Sequence, residues 1–132
     1  MTFEWKDDYL LGEVVIDSQH QRLFDLANQL MVVDDLFEGR RLAMALYKHT
    51  RLHFEYEEAE MRRCHFPELV SHVELHHQML KQLNAISQDI GNGKLDKDAL
   101  AALMTDWVMF HILHFDSRFA SYIQPPDPLD HP

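Results

Sequence analysis

A single cysteine, Cys64, occurs in the 132 residues of this chain. An internal disulfide is therefore excluded, and one sulfur cannot by itself build a thiolate metal site. Glycine and proline are also scarce, at 4 and 5 residues. They fall between periodic stretches, as breakers should, and leave room for long uninterrupted helices. Basic residues are few: 12 Lys and Arg stand against 22 Asp and Glu, for a formal charge of −10. That balance argues against a nucleic-acid backbone or an anionic membrane surface as partner. No apolar run approaches the roughly 20 residues that span a bilayer. The opening MTFEWKDDYLLGE has no basic segment followed by an apolar one, so no secretory signal is expected. The expectation is one domain over residues 1–132, cytoplasmic, monomeric or weakly oligomeric, with no membrane insertion and no protein partner legible.

Histidine, by contrast, is abundant, with ten in the chain. The stretch SHVELHH, residues 71–77, carries His72, His76 and His77. His72 and His76 share one face of a helix, one turn apart. The apolar residues Val73, Met79, Leu80 and Leu83 surround that face, which reads as a core stripe.

The periodicity predicts four amphipathic helices and no strands. An extended arm over residues 1–16 carries Phe3, Trp5 and Tyr9. Asp17 or Ser18 can cap a first helix over about 18–37, with Leu23, Phe24, Ala27, Leu30 and Met31 inward and Gly39 closing it. A second helix over about 41–64 turns Leu42, Ala45, Leu46, His49, Leu52, His53, Tyr56 and Met61 inward. Pro67 suits the first turn of a third, over about 67–90, which stops at GNG, residues 91–93. Asp96 can cap a fourth over about 97–122, with Leu100, Leu103, Met104, Trp107, Val108 and His111 inward. Pro125, Pro126 and Pro128 mark a tail over 123–132. Four helices with short connections make an all-α, up-down-up-down antiparallel four-helix bundle.

The inward polar residues follow a pattern. The first helix offers His20, the second His53 and Glu57, the third His72 and His76, the fourth His111 and Asp116. In an antiparallel bundle all four sets fall toward one end. Burying five imidazoles and two carboxylates without partners is costly, and a divalent metal supplies the partner. Seven donors exceed the four that a structural zinc takes. They suit two five- or six-coordinate ions sharing bridging carboxylates, and imidazole with carboxylate favours iron or manganese over soft metals. A set rich in neutral imidazole disfavours very high oxidation states, which leans toward reversible dioxygen chemistry. One spacing is awkward: His111 and Asp116 are five apart, about 140° around a regular helix. A π-type bulge near 111–116 is therefore predicted.

The order H, H-x-x-x-E, H-x-x-x-H, H-x-x-x-x-D over four helices resembles the hemerythrin family, in its single-domain bacterial branch. FEWKDDYLLGEVVIDSQHQRLFDLANQL, HFEYEEAEM and WVMFHILHFD agree with it, and the resemblance covers about residues 3–123. It implies a non-haem di-iron centre (Fe2+/Fe3+) that binds dioxygen reversibly, for storage, delivery or buffering, with no substrate turned over. By position, His72, His76 and His111 would hold one iron, and His20 and His53 the other, with one coordination position left open to dioxygen. Glu57, Asp116 and a solvent-derived oxygen would bridge the pair. Trp107 and Val108 are the candidates for an apolar wall against water, with Phe24 or Phe54 beside them. Alternative classes are a dioxygen, redox or iron sensor acting through a partner, and a di-iron peroxidase or nitric-oxide-handling enzyme.

Taken singly, these residues have ordinary readings. His53 with Glu57 is a common i,i+4 surface pair, and the run YEEAE is a solvated face with only Glu57 inward. His77 points about 100° from His76, toward solvent. His49 reads as a core histidine, His114 as the second choice to His111, His65 as a helix-end residue and Cys64 as a plain thiol.

Overall fold

The computed structural model describes residues 3–123, with the backbone alone at 108–110. A 3-10 turn, Asp7–Tyr9, precedes helices α1 (Val14–Met31), α2 (Leu36–Arg63) and α3 (Leu69–Gly91). The fourth rod has three parts: α4 (Lys97–Asp106), a π-helical stretch (Trp107–Asp116) and α5 (Ser117–Ile123). Consecutive helices pack side by side and α4 returns against α1, which closes a four-helix bundle. Among the described residues there is no strand, and no helix is long and apolar enough to cross a membrane. The expected tail over 124–132 lies outside the described residues.

The helix ends differ from the sequence expectation for local reasons. α1 starts at Val14 because Glu13 is its cap, its carboxylate accepting from Ile16 N at 2.6 Å. Asp17 is buried one turn in and accepts from Leu11 N and Gly12 N at 2.8 and 3.1 Å, tying the arm to the helix. α1 ends at Met31, and Asp35 caps α2 by accepting from Phe37 N at 3.0 Å. Gly39 thus does not end a helix; it sits inside α2, where an added Cβ would meet Val33 and Ile90 at 3.7 and 3.8 Å. Asp96 caps α4 as expected, accepting from Ala99 N at 2.9 Å.

Two apolar clusters divide the interior. The larger one holds Leu26, Leu30, Leu42, Ala43, Ile86, Ile90 and Leu100 at one end of the bundle. The smaller one, Ile16, Met61, Phe66 and Phe119, lies near the other. Along every helix the polar residues singled out above fall between these two clusters. On α2 the stripe Leu46, Thr50, His53, Phe54, Glu57 and Met61 faces inward, whereas Leu52, expected inward, is exposed. At 100° per residue Leu52 lies about 150° around α2 from the middle of that stripe, so it faces away from the axis. The N-terminal arm is anchored across the bundle: Trp5 and Tyr9 pack on Phe24 with ring centroids 5.0 and 5.8 Å away, and Asn28 exchanges two hydrogen bonds with the Phe3 backbone.

Candidate metal centre

All seven candidate donors meet in one layer. His20, Glu57, His72, His76 and Asp116 are wholly buried, and His53 and His111 are at most 2% exposed. Each helix delivers its donors at i,i+4 spacing or as a single residue, except the last. There the π-helical geometry, which pairs residue i with i+5, turns His111 and Asp116 to the same side. The bulge predicted from their spacing is present.

The two carboxylates occupy the middle. Glu57 Oε1 lies 3.4 Å from His53 Nε2 and 3.3 Å from His76 Nε2. Asp116 Oδ2 lies 3.2 Å from His20 Nε2, and its Oδ1 lies 3.3 Å from His111 Nε2 and 3.5 Å from His72 Nε2. His20, His53, Glu57 and Asp116 form one group able to hold a cation, and Glu57, His76, His111 and Asp116 form another. Glu57 and Asp116 belong to both. His72 flanks the second group through Asp116.

Hydrogen placement makes the layer electron-rich. Glu58 Oε2 accepts from His76 Nδ1 at 2.8 Å, and Gln19 Oε1 accepts from His53 Nδ1 at 2.6 Å. A neutral imidazole carries one hydrogen, so His76 and His53 present bare Nε2 lone pairs to the interior. Those atoms face His111 Nε2 and His20 Nε2 at 3.1 and 3.0 Å. Meanwhile both oxygens of Glu57, both of Asp116 and both nitrogens of His72 have no hydrogen-bond partner. Buried polar atoms are normally satisfied. A cation between them would satisfy lone pairs and carboxylates together, so the donor set fits one.

Titration follows the same geometry. Burial pushes the His53 imidazole down to about 3, which keeps it neutral and able to donate a lone pair. For Glu57, burial opposes ionisation, but the imidazoles around it, His53 foremost, hold it well below the usual carboxylate range. Burial and the Glu57 charge likewise oppose ionisation of Asp116, and His111, His20 and His72 hold it low. Two buried carboxylates beside a neutral imidazole leave negative charge in a dry interior, which is costly unless a cation answers it.

Aromatic rings wall the layer. Phe54 stacks on His76 with centroids 3.8 Å apart and lies 5.7 Å from His53. Trp107 meets His20 edge-on at 5.3 Å, and Phe24 backs Trp107 at 5.7 Å. The Val108 side chain lies outside the described residues. Phe66 and Phe115 flank His72 at 5.6 and 5.8 Å and were not among the expected wall.

Of the spare histidines, His77 and His114 are exposed and His49 is half-buried. None of the three joins either cation-holding group. His65 is exposed at a positive φ of 57° just past α2. One reading needs correcting: in YEEAE, Glu58 also turns inward, with its side chain 15% exposed and bonded to His76. Gln19 and Glu58 each directly neighbour a donor in sequence, and that adjacency was the available signal.

A family model described as the Hemerythrin HHE cation binding domain matches residues 12–123. The chain belongs to the hemerythrin family. Hemerythrin relatives named bacteriohemerythrin include one from Stenotrophomonas maltophilia, 25% identical over 123 residues, covering 91% of this chain and 80% of that protein. Another, from Clostridium acetobutylicum, is 26% identical over 127 residues, covering 89% of this chain and 98% of its own length. The fold matches a crystal structure of a hemerythrin mutant with a TM-score of 0.84 at 20% identity, over 95% of this chain and all of that one. The hemerythrin layer described above is thus the part of this fold equipped to hold a cation.

Proposed function

We propose that this chain binds dioxygen reversibly at a non-haem iron pair, for storage, delivery or buffering, and turns over no substrate. The observation that carries the reading is the sharing of Glu57 and Asp116 between two buried cation-holding groups, with all four carboxylate oxygens free of hydrogen bonds. On this reading His72, His76 and His111 would hold one iron and His20 and His53 the other, with Glu57 and Asp116 shared between them. The group of His20 and His53 offers fewer protein donors and would leave room there for dioxygen. The iron pair supplies the electrons that bind and release it. The name bacteriohemerythrin carried by the relatives agrees with this reading.

The surrounding residues have distinct roles. Trp107 and Phe24 stand on the His20 side and exclude water from the open position. An apolar cavity of about 20 Å³ bounded by Leu23, Leu46, Leu103, Met104 and Trp107 suits a small uncharged guest. On the outer side, a cleft of about 330 Å³ lined by Leu75, Gln78, Met79, Asp106, Trp107 and His111 shares Trp107 with that cavity and reaches the layer at His111.

Elemental analysis of the purified chain tests the metal half of this reading. Two irons per chain are expected in the wild type and fewer than two in His76→Ala, while His77→Ala should match the wild type. Equal loss in both variants, or a wild type that takes up no iron, would overturn it.

A further inference from the structure

The two cation-holding groups differ in what stands behind their histidines. His76 is backed by a carboxylate, Glu58, and His53 by a neutral amide, Gln19. Both partners accept from Nδ1, and both therefore aim Nε2 inward, yet only Glu58 brings a full negative charge. An imidazole whose N–H is bonded to a carboxylate is the more basic donor at its other nitrogen. Glu58 is itself anchored: its other oxygen, Oε1, lies 3.5 Å from the Arg62 guanidinium one turn on, which reaches it from the solvent side. Phe54 stacks flat on the His76 ring and leaves it little freedom to turn.

Resting on the iron-pair reading above, we propose that Glu58 is a positioning residue that makes the His76 side the tighter of the two metal sites, and that Gln19 in the matching place leaves the His53 side the weaker. One residue beyond the ligands, this contrast adds to the difference that the unequal number of histidines already makes. It gives the pair one firmly held ion and one whose bonds are easier to rearrange, on the side where the position is open.

The test uses the metal-free full chain titrated with cobalt(II) without oxygen, reading the visible absorption and the affinity of each ion. The wild type should take two ions with separable affinities. Glu58→Ala should weaken one ion about ten- to a hundredfold and leave the other unchanged, since loss of such an outer partner typically costs that much. Glu58→Gln, which keeps a hydrogen-bond acceptor without the charge, should fall between. Gln19→Glu should tighten the other ion and narrow the gap. Glu55→Ala, which removes a solvent-facing carboxylate from the same helix, should match the wild type. If Glu58→Ala does not fold, Glu58→Gln and Gln19→Glu still decide the matter. Equal weakening of both ions, or wild-type affinities throughout, would overturn the assignment to Glu58 alone. A wild type that takes fewer than two ions would overturn the iron-pair reading and this inference with it.

Discussion

At the Leu30 end of the bundle, Leu26, Leu30, Leu42, Ile86, Ile90 and Leu100 bury apolar surface against one another. In the His76 layer, the same four helical rods bury five imidazoles and two carboxylates, and several of those atoms have no hydrogen-bond partner. The first region is complete as the chain alone makes it. The second carries donors that a cation between them would satisfy, and that is what sets a layer able to bind apart from ordinary core. The apolar end holds the rods in register, so the polar layer need not supply its own stability.

The comparison breaks most visibly under truncation. Leu30→Ala should destabilise the protein by about 2–5 kcal/mol, equally with and without metal, because it opens a cavity far from the layer. Chemical denaturation of both forms checks this. Adding metal to the wild type should stabilise it by about 4 kcal/mol at a thousandfold excess over the dissociation constant. Amide exchange should show the gain concentrated at residues 53–57, 72–76 and 111–116, with residues near Leu30 and Ile90 protected either way.

Asp116→Asn sharpens the contrast by differing in size between the two forms. In the metal-free chain, against burial and the Glu57 charge, His111, His20 and His72 hold the Asp116 carboxyl low, so losing that carboxylate should cost on the order of 1 kcal/mol at neutral pH. In the loaded chain it should cost metal affinity, because a bridging charge is gone. A destabilising effect of the same size in both forms would mean that Asp116 is simply part of the packing. At the other end of the same rod, Asp96→Ala should cost about 1 kcal/mol in either form through the lost helix cap. His77→Ala should change stability by less than about 0.5 kcal/mol.

Much of this could be read from the residues. The spacing of His20, His53, Glu57, His72, His76, His111 and Asp116 placed them in one layer because helical periodicity is strict enough to project across a bundle. The five-residue gap before Asp116 announced the π-helical stretch, since no regular helix brings both residues round. The helix starts were harder. Glu13, Asp17 and Ser18 all can cap, and only the path of the arm shows that Glu13 does so while Asp17 ties down Leu11 and Gly12. For Gln19 and Glu58 adjacency to a donor was the only signal, and a weak one, because each sits about 100° from that donor on its own helix. A hydrogen bond from there requires the neighbouring helix, and sequence spacing carries no information on which helix leans toward which. Leu52 misled for a related reason: hydrophobicity argues for burial, but at 100° per residue it lies on the far side of α2 from the stripe of Leu46, His53, Glu57 and Met61.

The most direct measurement is a visible spectrum of the iron-loaded chain through one cycle: reduction without oxygen, exposure to air, then removal of the oxygen. With two irons per chain, a charge-transfer band should appear with dioxygen and vanish when it is stripped out, cycle after cycle. A band that forms once and never reverses, or a chain that holds no iron, would contradict reversible dioxygen binding.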